Sequence, residues 1–476
     1  MPAKKNMGNY NSGRNNGNQN RVYRVNTTRN TGSAHGPSAK NSRRVSATRD
    51  FSGAPGTGRG IINTKKEAKK ADKQTRSLIR HQEKALIKAE EEMQWQAQVE
   101  RVHGGVDKIM LSIVVLLIAL GALMVYSASY PTGLSKFGDS FYYFKKHLIF
   151  IAIGAVGMLT ATFIPYRFYK KGGAIIIYII AALLLVAVLF IGTNEGEAKR
   201  WIYIGSFSIQ PSEIMKVALV LMLAWYIDKY KKDVDSRLGF RNSFLKSAFF
   251  PLCIVGFACV LVLLEKHLSG TLILGIIGIL VMLVGGCNPK YSIITTAIVG
   301  SAGIGFFLAT NEYAWKRVTS FLDKDVDVLN EGWQTAQGVL AIGSGGLFGV
   351  GFSESRQKFG YVSMAHNDFI FTIWCEELGF IGAVLLVGLF VAFMWRGYVI
   401  AMRAPDTFSM LAVFGITTQV VLQAFLNMMV VCDIIFNTGV SLPFFSYGGS
   451  SLIMLMTEMG IILSVSRQYY RKKSIV

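Results

Sequence analysis

DKIMLSIVVLLIALGALMVYSA, residues 107–128, decides the fold. After Asp107 and Lys108, twenty consecutive residues carry no charge, and about 20 apolar residues in a helix cross the roughly 30 Å hydrocarbon core of a bilayer. Similar runs recur near 147–166, 174–192, 211–228, 247–264, 271–287, 292–309, 368–395, 407–432 and 448–466. The 476 residues are 51% hydrophobic and 17% charged, against about 25% charged in a soluble domain. A soluble enzyme, a secreted disulfide scaffold and a chain disordered throughout are excluded. The expectation is an all-α polytopic membrane protein with about ten transmembrane helices.

N-terminal to the first run the chemistry changes. Residues 1–106 hold 21 Lys and Arg against eight Asp and Glu, so most of the net +21 belongs to this tail. A nucleic-acid partner is therefore not expected of the membrane core. Residues 1–60 are rich in Asn, Gly, Ser, Thr and Arg, with too little apolar surface to offset chain entropy, and are expected to be disordered. Residues 62–101 are helix formers of mixed charge and read as a charged helix, with Lys88 and Glu92 one turn apart. This basic stretch suits contact with anionic lipid headgroups; RNA or a cytosolic protein is the alternative. No short apolar core with a small-residue cleavage site opens the chain, so a cleaved leader is not expected. The five cysteines show no CxxC spacing, which leaves disulfide and zinc readings unsupported.

Ten spans place both termini on one side. If that side is the cytoplasm, the short inner loops and C-terminus (471–476 included) carry sixteen Lys and Arg and the short outer loops six, among them Lys136, Lys199 and Arg200. Cytoplasmic loops carry the excess of cations, so both ends are expected inside. One large extracellular loop then remains, about 310–367, between spans seven and eight. Loops of that length are functional or disordered, and its aromatic and apolar content predicts an ordered, partly re-entrant segment.

Polar groups inside or beside spans are costly in lipid and mark candidate sites. Glu213 and Lys216 stand at i, i+3 behind Pro211, a good first-turn residue. They read either as a structural ion pair or as the lining of a cavity for a charged substrate. Glu265, Lys266 and His267 fall at an outer turn, where solvent exposure is expected. Asp368 opens the eighth run behind His366 and Asn367; it reads either as a helix N-cap or as a reactive carboxylate. His366 stands ready to orient it or to sit among headgroups. Glu376 and Glu377, two turns on, are expected to face the protein interior. GSGGLFGVG (343–351) lacks the GKS/T ending of a phosphate-binding loop; its glycines allow close packing or approach to a pyrophosphate. Asp323, Asp325 and Asp327 imitate a calcium loop, but Val328 and Gln334 occupy its Gly and Glu positions, so that reading is rejected.

MVYSAS (124–129), RWIYIGSFSIQPSEIMK (200–216), AIGSGGLFGVGFSESRQK (341–358), HNDFIFTIWCEELGFIG (366–382) and TGVSLPFFSYGGSS (438–451) occur in that order. With them, residues from about 107 to 470 resemble the SEDS family, and SESRQK (353–358) is closest to its FtsW/SpoVE branch. The resemblance implies a peptidoglycan glycosyltransferase that polymerises lipid II at the outer face of the cytoplasmic membrane, in division or sporulation. It implies undecaprenyl pyrophosphate as leaving group, and a class B penicillin-binding transpeptidase and other divisome proteins as partners. The family's essential aspartate falls on Asp368, the general base, and its Glu/Lys pair on Glu213 and Lys216. Arg200, Lys216 and Lys358 are expected to hold the pyrophosphate, with Glu213, His366, Ser344 and Ser450 completing the substrate-binding set. A divalent cation, Mg²⁺ or Mn²⁺, could assist Asp368. Departures from the family pattern are Val362-Ser363-Met364, Asn367, KHLSGT (266–271), Asp433, Phe436 and Ser441. The rival readings are a flippase for the lipid-linked precursor and a non-catalytic scaffold for the transpeptidase.

Overall fold

In lipid a backbone must satisfy its own polar groups, so apolar runs of this length become helices. The computed structural model describes residues 99–195, 198–204, 207–234, 244–310 and 332–472, with scattered positions in 72–90 and 312–321. The expected disorder of 1–60 and the acidic triplet Asp323, Asp325 and Asp327 lie outside the described residues. The chain divides into two units, Met1–Glu83 and Lys84–Val476. In the first, the described positions are helical, and Arg76 pairs with Asp72 at 2.9 Å one turn away.

In the second unit, helical positions at 86, 87 and 90 precede β1 (Val99–His103). Then come α1 (Lys108–Phe137), α2 (Tyr142–Phe163) and, behind a π-turn, α3 (Ala174–Ile191). Strands β2 (Thr193–Glu195), β3 (Ala198–Ile204) and β4 (Phe207–Ile209) form a small antiparallel meander. Helices α4 (Pro211–Lys229), α5 (Phe250–Leu264), α6 (Leu268–Val284) and α7 (Pro289–Thr310) follow. After α8 (Trp333–Ser344) in the long loop come α9 (Ile370–Met402), α10 (Thr407–Val431) and α11 (Gly449–Ser466). Strand β5 (Gln468–Lys472) closes the chain against β1, with Val99 opposite Lys472. The tail helix expected through residue 101 therefore ends earlier, since residues 99–101 are β1. A neighbouring strand is available to them, and Val99 and Val102 are β-favouring residues.

Among the described residues, eight helices are long and apolar enough to cross a membrane: α1, α2, α3 and α5 with their entry turns, α7, α9, α10 and α11. The other two expected runs are helices as well. One, α6, has 17 residues, and α4 carries Glu213, Lys216, Asp228 and Lys229. The bundle is graded from centre to edge. In the most apolar stretches of α10 and α11, 72% and 78% of residues are buried, against 6% in α7. The exposed Ile, Leu and Phe side chains of the edge helices face what would be lipid, which solvates them as well as a core does. Helix α11 packs closely on α2, where Gly460 meets the Met158 carbonyl with no room for a Cβ. Backbone approach of this kind is how helices associate without a hydrophobic driving force.

Both bundle ends are tied, by different means. At the β1–β5 end, Asp107 caps α1 through the Met110 N–H (2.8 Å) and also receives the Arg396 guanidinium of α9 at 2.5 Å. There Lys170 bridges Asp228 and Asp406, at 3.0 and 3.1 Å, and Asp406 caps α10. At the meander end, the polar groups surround a cleft instead.

Candidate active site

Within the long loop the structure describes residues 332–367 continuously, and the glycine run 343–351 has a structural task. Helix α9 is broken at Gly379, whose φ of 65° favours glycine. A break strands backbone donors and acceptors that lipid cannot satisfy. The loop supplies the partners: Val350 and Gly351 donate to the carbonyls of Glu376 and Glu377 (3.0 and 3.1 Å), while Phe380 and Ile381 donate to those of Gly346 and Leu347 (2.9 and 3.2 Å). Close packing accounts for Gly345 and Gly349, where an added Cβ would run into the Cys375 and Glu377 carbonyls. Ser344 is likewise occupied locally, its hydroxyl donating to the Ala341 carbonyl at the end of α8 (2.8 Å).

SESRQK continues this clasp. Ser355 and the Arg356 N–H donate to Glu376 at 2.5 and 2.9 Å. The Lys358 ammonium meets Glu377 (3.1 Å), Ser127 of α1 (3.2 Å) and the Ser353 carbonyl (2.8 Å). Both side chains of the Lys358–Glu377 pair are fully buried. Lys358 is thus not placed to hold a pyrophosphate; its charge is matched inside the protein. Glu376 and Glu377 face the interior, as their depth in the run predicted. His366 also leaves the substrate-binding set. Its ring is buried between Tyr143 and Tyr447, with centroids 4.5 and 5.7 Å away. Burial, with the charge of Lys136, lowers its pKa to about 4, so the imidazole is neutral.

Asp368 is not a cap. Helix α9 begins at Ile370, with Phe369 in the capping position and no side-chain cap. The half-buried Asp368 is held by its backbone: Asn427 of α10 donates to its carbonyl (2.6 Å) and to that of Val440 (2.7 Å). One amide so joins the Asp368 loop to the 432–448 loop. The carboxylate lies beside Gly439, where an added Cβ would come within 3.8 Å of Oδ2.

Gly439 also lines a cleft of about 50 Å³, together with Glu213, Lys216, His267, Gln423 and Ser441 among others. Pockets that enclose small molecules hold about 300–1,000 Å³, so this cleft has room for a single small group only. Pro211 starts α4 and puts Glu213 in its first turn, where the helix dipole favours an anion. Glu213 and Lys216 pair at 2.8 Å, as their spacing predicted. Lys216 also donates to Gln423 (2.7 Å), which donates on to the Ser441 carbonyl (3.1 Å). Deeper, Gln419 donates to both oxygens of Glu458 at 3.0 Å. Gln419, Gln423 and Asn427 are one turn apart on α10 and form a buried amide stripe. Sequence reasoning missed it, though amides at i, i+4 and i+8 in an apolar run were the available signal.

The rim reverses one expectation and keeps another. Glu265 is buried, not solvated, and both carboxylate oxygens lack hydrogen-bond partners among the described residues. Burial pushes its pKa up to about 8, partly offset by Arg200. The reason is the meander, which lays Arg200 across the turn so that its guanidinium donates to the Lys266 carbonyl (2.5 Å). Only Lys266 of the three is exposed. His267 bonds Ser212 through Nδ1 (3.3 Å), and burial with the charges of Arg200 and Lys216 drives its pKa well down. Ser450 sits at the foot of α4, accepting from the Gln210 N–H (3.2 Å). Of the expected site residues, Glu213 and Lys216 line the cleft; Asp368, Arg200 and Ser450 stand next to its lining or its rim, through Gly439, Lys266 and Gln210, while Lys358, His366 and Ser344 are engaged elsewhere.

The family profile that matches residues 107–471 is that of the FtsW/RodA/SpoVE cell cycle proteins. The chain belongs to this family. As a member it is 36% identical over 364 residues to the stage V sporulation protein E of Bacillus subtilis (strain 168), covering 76% of this chain and 97% of that protein. Identity is also 36% over 364 residues, with the same coverage, to a probable peptidoglycan glycosyltransferase FtsW of Geobacter sp. (strain M18). Its fold is that of solved relatives. The rod shape determining protein RodA of Thermus thermophilus superposes with a TM-score of 0.56 at 25% identity, over 76% of this chain and 97% of that one. A chain from a peptidoglycan synthase complex that coordinates polymerization and crosslinking gives 0.61 at 25% identity, over 76% and 98%.

Among the described residues, no three His, Cys, Asp or Glu side chains come together as a metal site. Asp368 offers a single carboxylate. That fits only the manner of Mg²⁺, which takes one or two protein carboxylates and completes its shell with phosphate oxygens and water.

Proposed function

We propose that this family member polymerises lipid II, with Asp368 as general base. The carboxylate of Asp368 takes the proton of the acceptor sugar's 4-hydroxyl as that oxygen attacks C1 of the donor. The C1–O bond to undecaprenyl pyrophosphate breaks, and the leaving group departs with the bonding electron pair. A positioned base contributes typically 10²–10⁴-fold. One observation carries the reading: the Asp368 carboxylate, not engaged as a helix cap, sits beside Gly439 at the edge of the Glu213–Lys216 cleft. Lys216 and the rim cation Arg200 supply positive charge for the leaving pyrophosphate. Asp368 is the residue that would hold a divalent cation, which would neutralise part of the same charge when bound.

The reaction is assigned to the outer face, with both termini cytoplasmic, on the strength of the cation count of the loops. A class B penicillin-binding protein and other divisome proteins are the proposed partners; the exposed Leu347, Phe348 and Phe352 of the long loop offer them an apolar surface. The basic tail is assigned to anionic lipid. The flippase alternative is disfavoured by the extent of the polar path. It runs from Asp368 to Glu458, half-way along α11, and then gives way to buried Ile461, Ile462, Leu463 and Val465, with Ser464 among them turned to the Ile164 carbonyl. A scaffold would not need Asp368.

Purified wild type and Asp368→Asn, each with and without its transpeptidase partner, are to be given lipid II and a divalent cation, with products resolved by length. Strands from wild type and none from the folded variant are expected. Normal strands from Asp368→Asn would remove the base; none in any wild-type reaction would favour the scaffold or flippase.

A further inference from the structure

The other cavity of note lies at the opposite end of the bundle, where β1 and β5 meet the ends of α1, α9 and α11. It measures about 450 Å³, a size that holds a small molecule or a headgroup. Its lining includes three cations, Lys108, Arg396 and Arg403, against one carboxylate, Asp107. Arg396 meets Asp107 through both Nε and Nη2 (3.0 and 2.5 Å), and Arg403 reaches the same carboxylate by its charge. Asp107 offsets one positive charge and leaves two. Neither Lys108 nor Arg403 has an ion-pair partner among the described residues, so the cavity is built to accept an anion.

Its remaining wall is apolar. Ile109 and Ile400 line it, and Ile109, Trp395 and Met402 are 55%, 72% and 76% exposed on the adjoining helix faces. Trp is enriched at the depth of lipid headgroups, which sets the cavity at the membrane surface with apolar helix faces running away from it. A free inorganic anion gains nothing from those faces. An anion that carries acyl chains does. Basic pockets between helices at the cytoplasmic surface are recognised sites for anionic headgroups.

We propose that this cavity binds the phosphate headgroup of an anionic glycerophospholipid of the inner leaflet, with Lys108 and Arg403 as the anion-holding side chains. The site is separate from the cleft beside Asp368, and from the lipid contact assigned to the tail. It does not depend on the polymerase reading. Since Asp107 caps α1 and clamps α9, a lipid bound here would brace the junction of the first span with the ninth helix and the β1–β5 ribbon.

The test uses full-length protein in neutral micelles, with native mass spectrometry counting bound lipid. Phosphatidylglycerol, phosphatidylcholine and inorganic phosphate are the probes. Wild type is expected to retain phosphatidylglycerol over phosphatidylcholine, and millimolar phosphate not to displace it. Each Lys or Arg near an anionic surface is worth about fivefold, so Lys108→Gln/Arg403→Gln should weaken retention about 25-fold. The tail is present in both proteins, so the difference reports the cavity alone. Both side chains are exposed, and equal melting in phosphatidylcholine confirms that the variant is folded. Lys108→Arg/Arg403→Lys, which keeps the charge, should retain the lipid even if the neutral variant is less stable. Equal retention by wild type and the neutral variant, or no preference for phosphatidylglycerol, would overturn the site. Displacement by phosphate would overturn the lipid as its ligand.

Discussion

Two lysine–glutamate pairs are buried at the same end of the bundle, and they serve different ends. Lys358 and Glu377 are sealed: no part of either side chain is exposed, and the ammonium is shared among a carboxylate, Ser127 and Ser353. Glu213 and Lys216 are almost as buried, at 9% and 4%, but they line a cleft and connect to an amide stripe. The first pair joins the long loop to α9 and α1; the second borders open space. A buried charge therefore marks a functional site only when open space lies beside it. Sealed, it fastens elements together, and its worth lies in what happens when one partner is lost.

That contrast can be broken at four points, in descending order of effect. Asp368→Asn should lower polymerisation by about 10²–10⁴-fold with melting unchanged, read from strand synthesis and thermal unfolding together. Lys358→Met should do the reverse. It leaves Glu377 buried and unpaired, a loss of about 3–5 kcal/mol, visible as a lower yield of folded protein. Any activity decline would follow the folded fraction. If Lys358→Met instead left stability intact and abolished strand synthesis, the two pairs would have to exchange roles. Glu213→Gln and Lys216→Met should each cost up to about 10²-fold in turnover through misplacement of reacting groups, with a smaller stability loss than Lys358→Met. The exchange Glu213→Lys/Lys216→Glu should rescue turnover only in part; full rescue would make this pair a fastener too.

The smallest effect concerns Glu265. Its pKa is raised by burial to about 8 from an ordinary 4.5, so the folded protein holds this proton more tightly than the unfolded chain. Its stabilising contribution is then complete below pH 4.5 and is lost as pH rises through about 8, at up to about 1.4 kcal/mol per pH unit. Glu265→Gln should flatten the fall of melting temperature across that window. An unchanged profile would mean that Glu265 is already ionised beside Arg200.

Much of this was legible in the sequence, for reasons of range. Span length is local, and the pairing of Glu213 with Lys216 needs only helical spacing. Polar residues in apolar runs stand out individually, which is how Asp368 was found. What escaped depended on distant partners. Lys358 reads as a free cation until Glu377 and Ser127, the latter 231 residues away, are brought to it. Glu265 reads as solvated until the meander lays Arg200 over the turn. The glycines of 343–351 suggested a ligand because the break at Gly379 that they close cannot be seen in a run of helix-forming residues. Asn427 shows no role until the two loops it joins are adjacent.

The break at Gly379 also has a mechanical side. It divides α9 into a long lower part and a short arm, Ile370–Leu378, about 13 Å long at 1.5 Å per residue, with Asp368 just beyond its tip. The glycine loop grips that arm near its fulcrum. By simple leverage, a tilt of about 5° about Gly379 displaces the tip by about 1 Å, a shift that can change a rate about 10²-fold. A light push on the glycine loop, delivered near the pivot, is thereby magnified at the Asp368 carboxylate.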